Sequence, residues 1–348
     1  MTMPDANTPL RLPQLRHWAA SRHGLVPGAI VLELAAGDAS FRRYFRLTLP
    51  DGTTRMLMDA PPDHEDSGPF VAIATRWQAA GLPVPSLHAV DLEAGFLELD
   101  DLGDTPLQAC LRDEAHPTTL AWHDRALALL HELQNRTGPE DLPPYDEALL
   151  GRELDLFPQW CLGAWLGLAT PPSWAVLRET LIASALAQPV VTVHRDYDAM
   201  NLMVDGDRLT LIDFQDAVAG PISYDLISLL RGRYCRFAPD RFTDWVEAFR
   251  QRAMSDGRLP TGVTADTFHR QVQAMAAQRT LKVLGIFCRL TLRDNREGYL
   301  GRLPHFLDHL DDSLAELPEH RAFRHWLADT FRPALSQRLA TQPQGETS

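Results

Sequence analysis

The sequence predicts an α+β protein in two lobes, a small antiparallel β-sheet lobe with one helix followed by a larger, mainly helical lobe. Three observations carry this. Strand-like alternation and turn signals crowd the first hundred or so residues. Beyond residue 103 the apolar spacing becomes helical. The chain has 348 residues, 45% of them apolar, which is enough for two cores. The expected division is 1–102 for the sheet lobe and 103–348 for the helical lobe.

The elements follow in order. VLELAA alternates from Val31 and ends at Gly37. FRRYFRLTL is rich in aromatic and β-compatible residues, PDGT is a turn, and TRMLMDA closes at Pro61 and Pro62. These three make an antiparallel meander. SGPFVAIATRWQAA, residues 67–80, has helical spacing and stops at Gly81. VPSLHAVD and GFLELDDLG supply two further strands. TTLAWHDRALALLHELQN sets Leu120, Leu127, Leu130 and Leu133 near one helix face behind a threonine cap, and PEDLPP ends it. Apolar helix continues through 149–187, two short strands lie at VVTV and RLTLID, and helices recur at 241–256, 264–294 and 318–338.

Composition narrows the chemistry. The formal net charge is −13, which disfavours nucleic acid and anionic membranes as partners. Cys110, Cys161, Cys235 and Cys288 show no CxxC spacing, so zinc-ribbon and dithiol redox readings fall, and a reducing compartment fits. The longest apolar run, CLGAWLGLA, is too short to span a bilayer, and MTMPDANTPLRLPQLRHWAA lacks a signal-length apolar run. The expected location is the cytoplasm and the expected state a monomer.

The chemistry concentrates in VVTVHRDYDAMNLMVDGDRLTLIDFQD, which reads strand, loop, strand, turn, strand, acid. H-R-D-x-x-x-x-N followed by D-F is a phosphoryl-transfer pattern. Asp196 would orient an acceptor hydroxyl and take its proton. Asn201 and Asp213 offer hard oxygen ligands suited to Mg²⁺ bound against the phosphates of ATP. His194 and Arg195 read as supports of the loop backbone. Asp198 either reaches substrate or faces water.

The phosphate end is less explicit. Asp38, Ala39 and Ser40 after Gly37 form a candidate anion nest, with a plain hairpin loop as the alternative. The lysine that protein kinases carry on the third strand is missing; Met58 falls near its place, and the single lysine is Lys282. An arginine must then neutralise phosphate. Phe41, Arg43, Phe45 and Leu47 share one strand face, and an arginine there needs an anionic partner, so Arg43 leads, with Arg46 and Arg55 behind it. Glu98 and Leu99, where a strand enters an acidic, glycine-ended linker, are placed to offer backbone groups to adenine. His305 and His309 stand four apart on a helix without a third ligand, which reads as a solvated face.

On these residues the chain resembles the aminoglycoside phosphotransferase and choline kinase-like superfamily. GDASFRRYFRL, MLMDAPP and VHRDYDAMNLMV…LIDFQDAVAGPISYDLISLLRGRY look like the bacterial N-acetylmuramate/N-acetylglucosamine anomeric kinases of cell-wall recycling. The resemblance implies a bilobal protein-kinase-like fold, ATP and Mg²⁺ as cofactors, Asp196 as base, Asn201 and Asp213 as metal ligands, and Asp225 of SYDL as a brace for the catalytic loop. Two departures stand out: Gln215 follows Asp213 where a glycine-like residue is usual, and Asp198 stands where many relatives carry histidine. Only about ten residues separate Asp213 from SYDL, too few for a peptide-docking segment, so the acceptor is a small molecule. A sugar hydroxyl at C1 is the expected acceptor, with Arg231, Tyr234, Arg289 and Arg293 as candidate pocket residues. An aminoglycoside or amino-alcohol kinase and a nucleotide-binding pseudokinase scaffold are the alternatives.

Overall fold

The computed structural model of the chain describes residues 8–37 and 41–341. Its elements run α1 (Thr8–Arg22), β1 (Val31–Gly37), β2 (Arg43–Thr48), β3 (Thr54–Asp59), α2 (Gly68–Ala79), β4 (Leu87–Asp91), β5 (Phe96–Asp100), α3 (Pro117–Arg136), α4 (Glu147–Leu156), α5 (Trp174–Leu186) and β6 (Val190–Val193). There follow β7 (Leu202–Asp205), β8 (Arg208–Leu211), β9 (Val218–Pro221), α6 (Tyr224–Leu230), α7 (Pro239–Ser255), α8 (Ala265–Leu292), α9 (Leu303–Ala315), α10 (Arg321–Trp326) and α11 (Arg332–Ala340). The chain divides into two compact units, Met1–Ala109 with Met200–Asp216, and Cys110–Ala199 with Ala217–Ser348.

The first unit is built on a five-stranded antiparallel sheet in the order β1-β2-β3-β5-β4. The β2–β3 hairpin turns at Pro50–Thr53, where Gly52 takes φ +84°, a conformation glycine adopts without strain. Strand alternation then separates two faces. Phe45, Leu47, Leu57 and Phe96 point to one side and form a buried cluster with Leu15, Ala19 and Ala20 of α1. Tyr44, Met56 and Leu99 point to the other. Helix α1 is absent from the sequence expectation, which gave this lobe one helix. The second helix, α2, ends as expected at Gly81 (φ +76°), with the Leu82 amide donating back to the Trp77 carbonyl. The hairpin β7–β8 joins this unit from a distant part of the chain: the Val204 amide donates to the Thr105 carbonyl and the Leu211 amide to Pro83.

The second unit is mainly helical. The long helix α8 is its axis, buried almost continuously from Val272 to Leu284 and packed on α4, α5, α6 and α9. Gly285 permits the close approach, since a Cβ there would lie 2.5 Å from the Leu156 backbone carbon. After α4 the chain widens into a π-helical stretch, Phe157–Leu166. Pro158 there lacks the N–H that a regular helix would use. The cap of α3 is His116, whose Nδ1 accepts from the Thr118 amide, rather than the threonine expected from the sequence. The short strands β6 and β9 pair antiparallel and carry the loop that follows β6. Among the described residues no helix is long and apolar enough to cross a membrane.

Candidate active site

The tract from His194 to Asp213 is divided between the two units, and each half has its own architecture. In the helical unit, β6 ends at Val193 and the loop is held by Asp225, one residue into α6. The Asp225 carboxylate accepts from the His194 amide at 2.6 Å and the Arg195 amide at 3.0 Å. Those two bonds fix a backbone in which Arg195 adopts φ +80°, a left-handed conformation that costs free energy for a side-chain-bearing residue. Asp225 is fully buried; burial pushes its carboxyl up to about 7, against the pull of the two amides and with the charge of Asp196 adding to the rise. His194 is buried edge-on to Tyr197, and the Tyr197 hydroxyl donates to the Ala126 carbonyl at 2.7 Å. Asp196 itself is exposed between these buried neighbours.

Beneath the loop lies a charged group drawn from distant segments of the chain. Glu153 of α4 is buried and receives Arg195 at 2.7 Å, Lys282 at 2.9 Å and the Tyr145 hydroxyl. Lys282 also donates to the Tyr224 hydroxyl at 2.9 Å. Burial alone would raise the Glu153 carboxyl; Lys282, Arg195 and Tyr145 outweigh it and hold the group at about 2. Glu153 in turn keeps Lys282 charged despite its burial, and Asp196 adds to that effect. The one lysine of the chain therefore belongs to the support of the loop that carries Asp196. Its isolation in an apolar helix, LKVLGIF, was the signal available in the sequence.

In the sheet unit, the face opposite α1 lines a cavity of about 410 Å³. Its walls are mostly apolar: Tyr44, Met56 and Leu99 from the sheet, Phe70 from α2, and Met203 and Ile212 from β7 and the end of β8. Asn201 and Asp213 line the same cavity, and the Ile212 amide donates to the Asn201 carbonyl at 3.1 Å, which ties their backbones together. Asp213 takes φ +62°, and Gln215 donates to one of its carboxylate oxygens at 2.7 Å. Phe214 stacks on Phe70 and packs against Trp77 of α2, which anchors the segment that presents Asp213. An amide oxygen and a carboxylate on one wall match Mg²⁺, which takes few protein ligands and keeps oxygens from water and phosphate. Among the described residues no group of three His, Cys, Asp or Glu is arranged for a metal.

Leu99 lines the cavity, whereas Glu98 alternates to the α1 face, buried with His23 at 3.1 Å. Arg43 also lies on the α1 face. Its anionic partner is the fully buried carboxylate of Asp59 at 2.5 Å, shared with Arg11. A protein carboxylate thus meets the need for an anion on that face, and the Arg43 side chain does not line the cavity. Arg46 grips Asp101 (2.7 Å) and Asp104 (2.9 Å), pinning the linker that forms the cavity rim. Among the described residues that line the cavity, none is lysine or arginine. Asp38, Ala39 and Ser40 lie outside the described residues.

Of the acceptor candidates, Arg231 is buried on Asp312 at 2.8 Å and stacked over Phe242, and Arg293 is exposed on Asp294 at 2.7 Å. Arg289 is half-buried with its Nε lacking a hydrogen bond. Asp198 is buried and paired with Arg233 at 3.0 Å, beside Tyr234 in a small cavity. The solvated face expected at His305 and His309 is corrected: His309 is fully buried, and both rings meet the Gly232 carbonyl, at 3.0 and 3.2 Å. Burial, with His305 and Arg231 close by, holds His309 at about 3 and so uncharged.

Comparisons with known proteins fit this architecture. The chain is 42% identical over 293 residues to an N-acetylmuramate/N-acetylglucosamine kinase of Pseudomonas putida, spanning 83% of this chain and 85% of that one. It is 39% identical to the Pseudomonas aeruginosa protein of the same name, over 96% and 94% of the two chains. Among solved structures it resembles an ethanolamine kinase of Plasmodium vivax (TM-score 0.61, 9% identity, 92% and 93% covered). It also resembles a choline/ethanolamine kinase family protein of Mesorhizobium loti (TM-score 0.57, 17% identity, 90% and 98% covered). These last two show the shared fold. The profile of the phosphotransferase enzyme family matches residues 31–259, and the chain belongs to that family.

Proposed function

We propose that this protein moves the γ-phosphoryl group of ATP to the anomeric, C1 hydroxyl of N-acetylmuramate and N-acetylglucosamine, returning cell-wall sugars toward nucleotide-sugar synthesis. One observation carries the reading: 39–42% identity, across 80–96% of this chain, to three proteins named N-acetylmuramate/N-acetylglucosamine kinase. The site chemistry supports it. An anomeric hydroxyl is more acidic than an ordinary sugar alcohol, so a carboxylate such as Asp196 suffices to accept its proton. The sugar O1–P bond forms as the bond from γ-phosphorus to the bridging oxygen of ADP breaks, and Asp196 takes the proton.

Asn201 and Asp213 would hold Mg²⁺, which would supply positive charge to phosphate oxygens in a cavity whose described lining residues include no lysine or arginine. The apolar walls around Met56, Leu99 and Ile212 suit a purine ring. Asp225 and Glu153 hold the loop backbone and the Arg195 side chain, so that Asp196 is positioned before substrate arrives.

The test is a substrate panel with ATP and Mg²⁺, read as ADP formed. Turnover of the N-acetyl sugars, with none of aminoglycosides or amino-alcohols, is expected. Preference for the cationic acceptors overturns the sugar assignment. ATP binding with no turnover of any acceptor points to a scaffold instead.

A further inference from the structure

Helix α8 places two cations one turn apart on the side facing the catalytic loop, Arg279 and Lys282. Lys282 is satisfied by Glu153 and Tyr224. Arg279 is not. Its residue is 6% exposed, and among the described residues its guanidinium makes no hydrogen bond and no ion pair. Its nitrogens are not among the side-chain atoms sealed from solvent without a partner, so an incoming anion can reach the guanidinium.

The neighbours of Arg279 locate it. Gln278, immediately before it, reaches Glu153 at 3.4 Å, the carboxylate that also holds Arg195 of the loop at 2.7 Å. Asp225, which holds the amides of His194 and Arg195, lies within electrostatic reach of Arg279, and Asp196 within reach of Lys282. The anions present are already committed. Glu153 is divided between two cations and a tyrosine, and the Asp225 oxygens accept from two backbone amides. Arg279 is the cation left over beside the loop that carries Asp196.

We propose that Arg279 receives the carboxylate of a carboxylate-bearing acceptor sugar and so sets the preference between acceptors. The idea rests on the sugar-kinase reading. N-acetylmuramate carries a lactyl carboxylate, and N-acetylglucosamine has a hydroxyl in its place. The planar fork of arginine matches a carboxylate with two parallel hydrogen bonds, and in a buried setting that pair discriminates strongly against a neutral group.

The experiment compares kcat/KM on both sugars for the wild-type protein, Arg279→Met and Arg279→Lys, with melting temperatures to show that each is folded. Arg279→Met is expected to lose about 100-fold on N-acetylmuramate and less than about threefold on N-acetylglucosamine. Arg279→Lys, which keeps the charge and loses the fork, should recover part of the loss. Equal losses on both sugars would show that Arg279 acts through Asp225 on the loop, and overturn the proposal; so would no loss on either. A wild-type protein that turns over neither sugar refutes the sugar-kinase reading instead. Calorimetric binding of N-acetylmuramate to the wild type and Arg279→Met then decides Arg279 by itself: equal affinity, or none for either protein, overturns the proposal.

Discussion

Replacing Glu153 by glutamine removes one buried negative charge and leaves Arg195 and Lys282, at 2.7 and 2.9 Å, facing a neutral amide. Two estimates of the cost converge. A carboxyl held at about 2 instead of its ordinary 4.5 contributes, at about 1.4 kcal/mol for each pH unit, about 3 kcal/mol of stability. Because the folded value is depressed, that contribution is present above pH 4.5 and is lost as the pH falls toward 2. Removing one partner of a buried ion pair costs about 3–5 kcal/mol in general. Glu153→Gln should therefore lose about 3–4 kcal/mol at pH 7 in urea unfolding followed by circular dichroism. Its stability should also flatten between pH 4.5 and 2 relative to the wild type. The double variant Glu153→Gln, Lys282→Met should regain part of the loss, since one orphaned cation is gone. A loss below about 1 kcal/mol in the single variant, with an unchanged acid profile, would refute the claim that this carboxylate holds the loop's foundation.

The same assays reach other parts of the structure. Asp225→Ala strands the His194 and Arg195 amides and should cost about 2–4 kcal/mol along with most of the turnover. Asp225 is raised to about 7 in the folded chain, so its contribution is complete below pH 3.8 and lost as the pH rises through 7; Asp225→Asn should remove that decline, read from urea midpoints at pH 5 and 7.5. Gly285→Ala drives a methyl to 2.5 Å from the Leu156 backbone and should cost about 1–3 kcal/mol in thermal unfolding. Arg46→Met frees the linker residues Asp101 and Asp104. A loss of about 1 kcal/mol would weaken nucleotide binding about fivefold by calorimetry, with the KM for sugar unchanged.

Much of the sheet unit could be read from local pattern, because its strands alternate and its turns carry Gly52 and Gly81 at positive φ. The tract of the candidate site stands out for a related reason: Asp196, Asn201 and Asp213 lie close in the chain, next to short strands. Period two correctly grouped Arg43 with Phe45 and Leu47, but alternation does not say which face a helix covers and which lines a cavity. That depended on α1, whose packing against Leu57 and Phe96 is a long-range event. The foundation of the loop was illegible for the same reason, since Glu153, Lys282 and Arg195 come from three distant segments. His309 misled because a histidine four residues from another reads as polar, while its burial is set by the Gly232 loop arriving from elsewhere.

The assignment of C1 as the acceptor atom is tested most directly by a phosphorus–proton correlation spectrum of the product formed from ATP, Mg²⁺ and either N-acetyl sugar. A new phosphate monoester coupled to the anomeric proton, absent when Asp196→Asn replaces the wild type, is the predicted result. A phosphate coupled to any other ring or side-chain proton, or ADP accompanied only by inorganic phosphate, would contradict it.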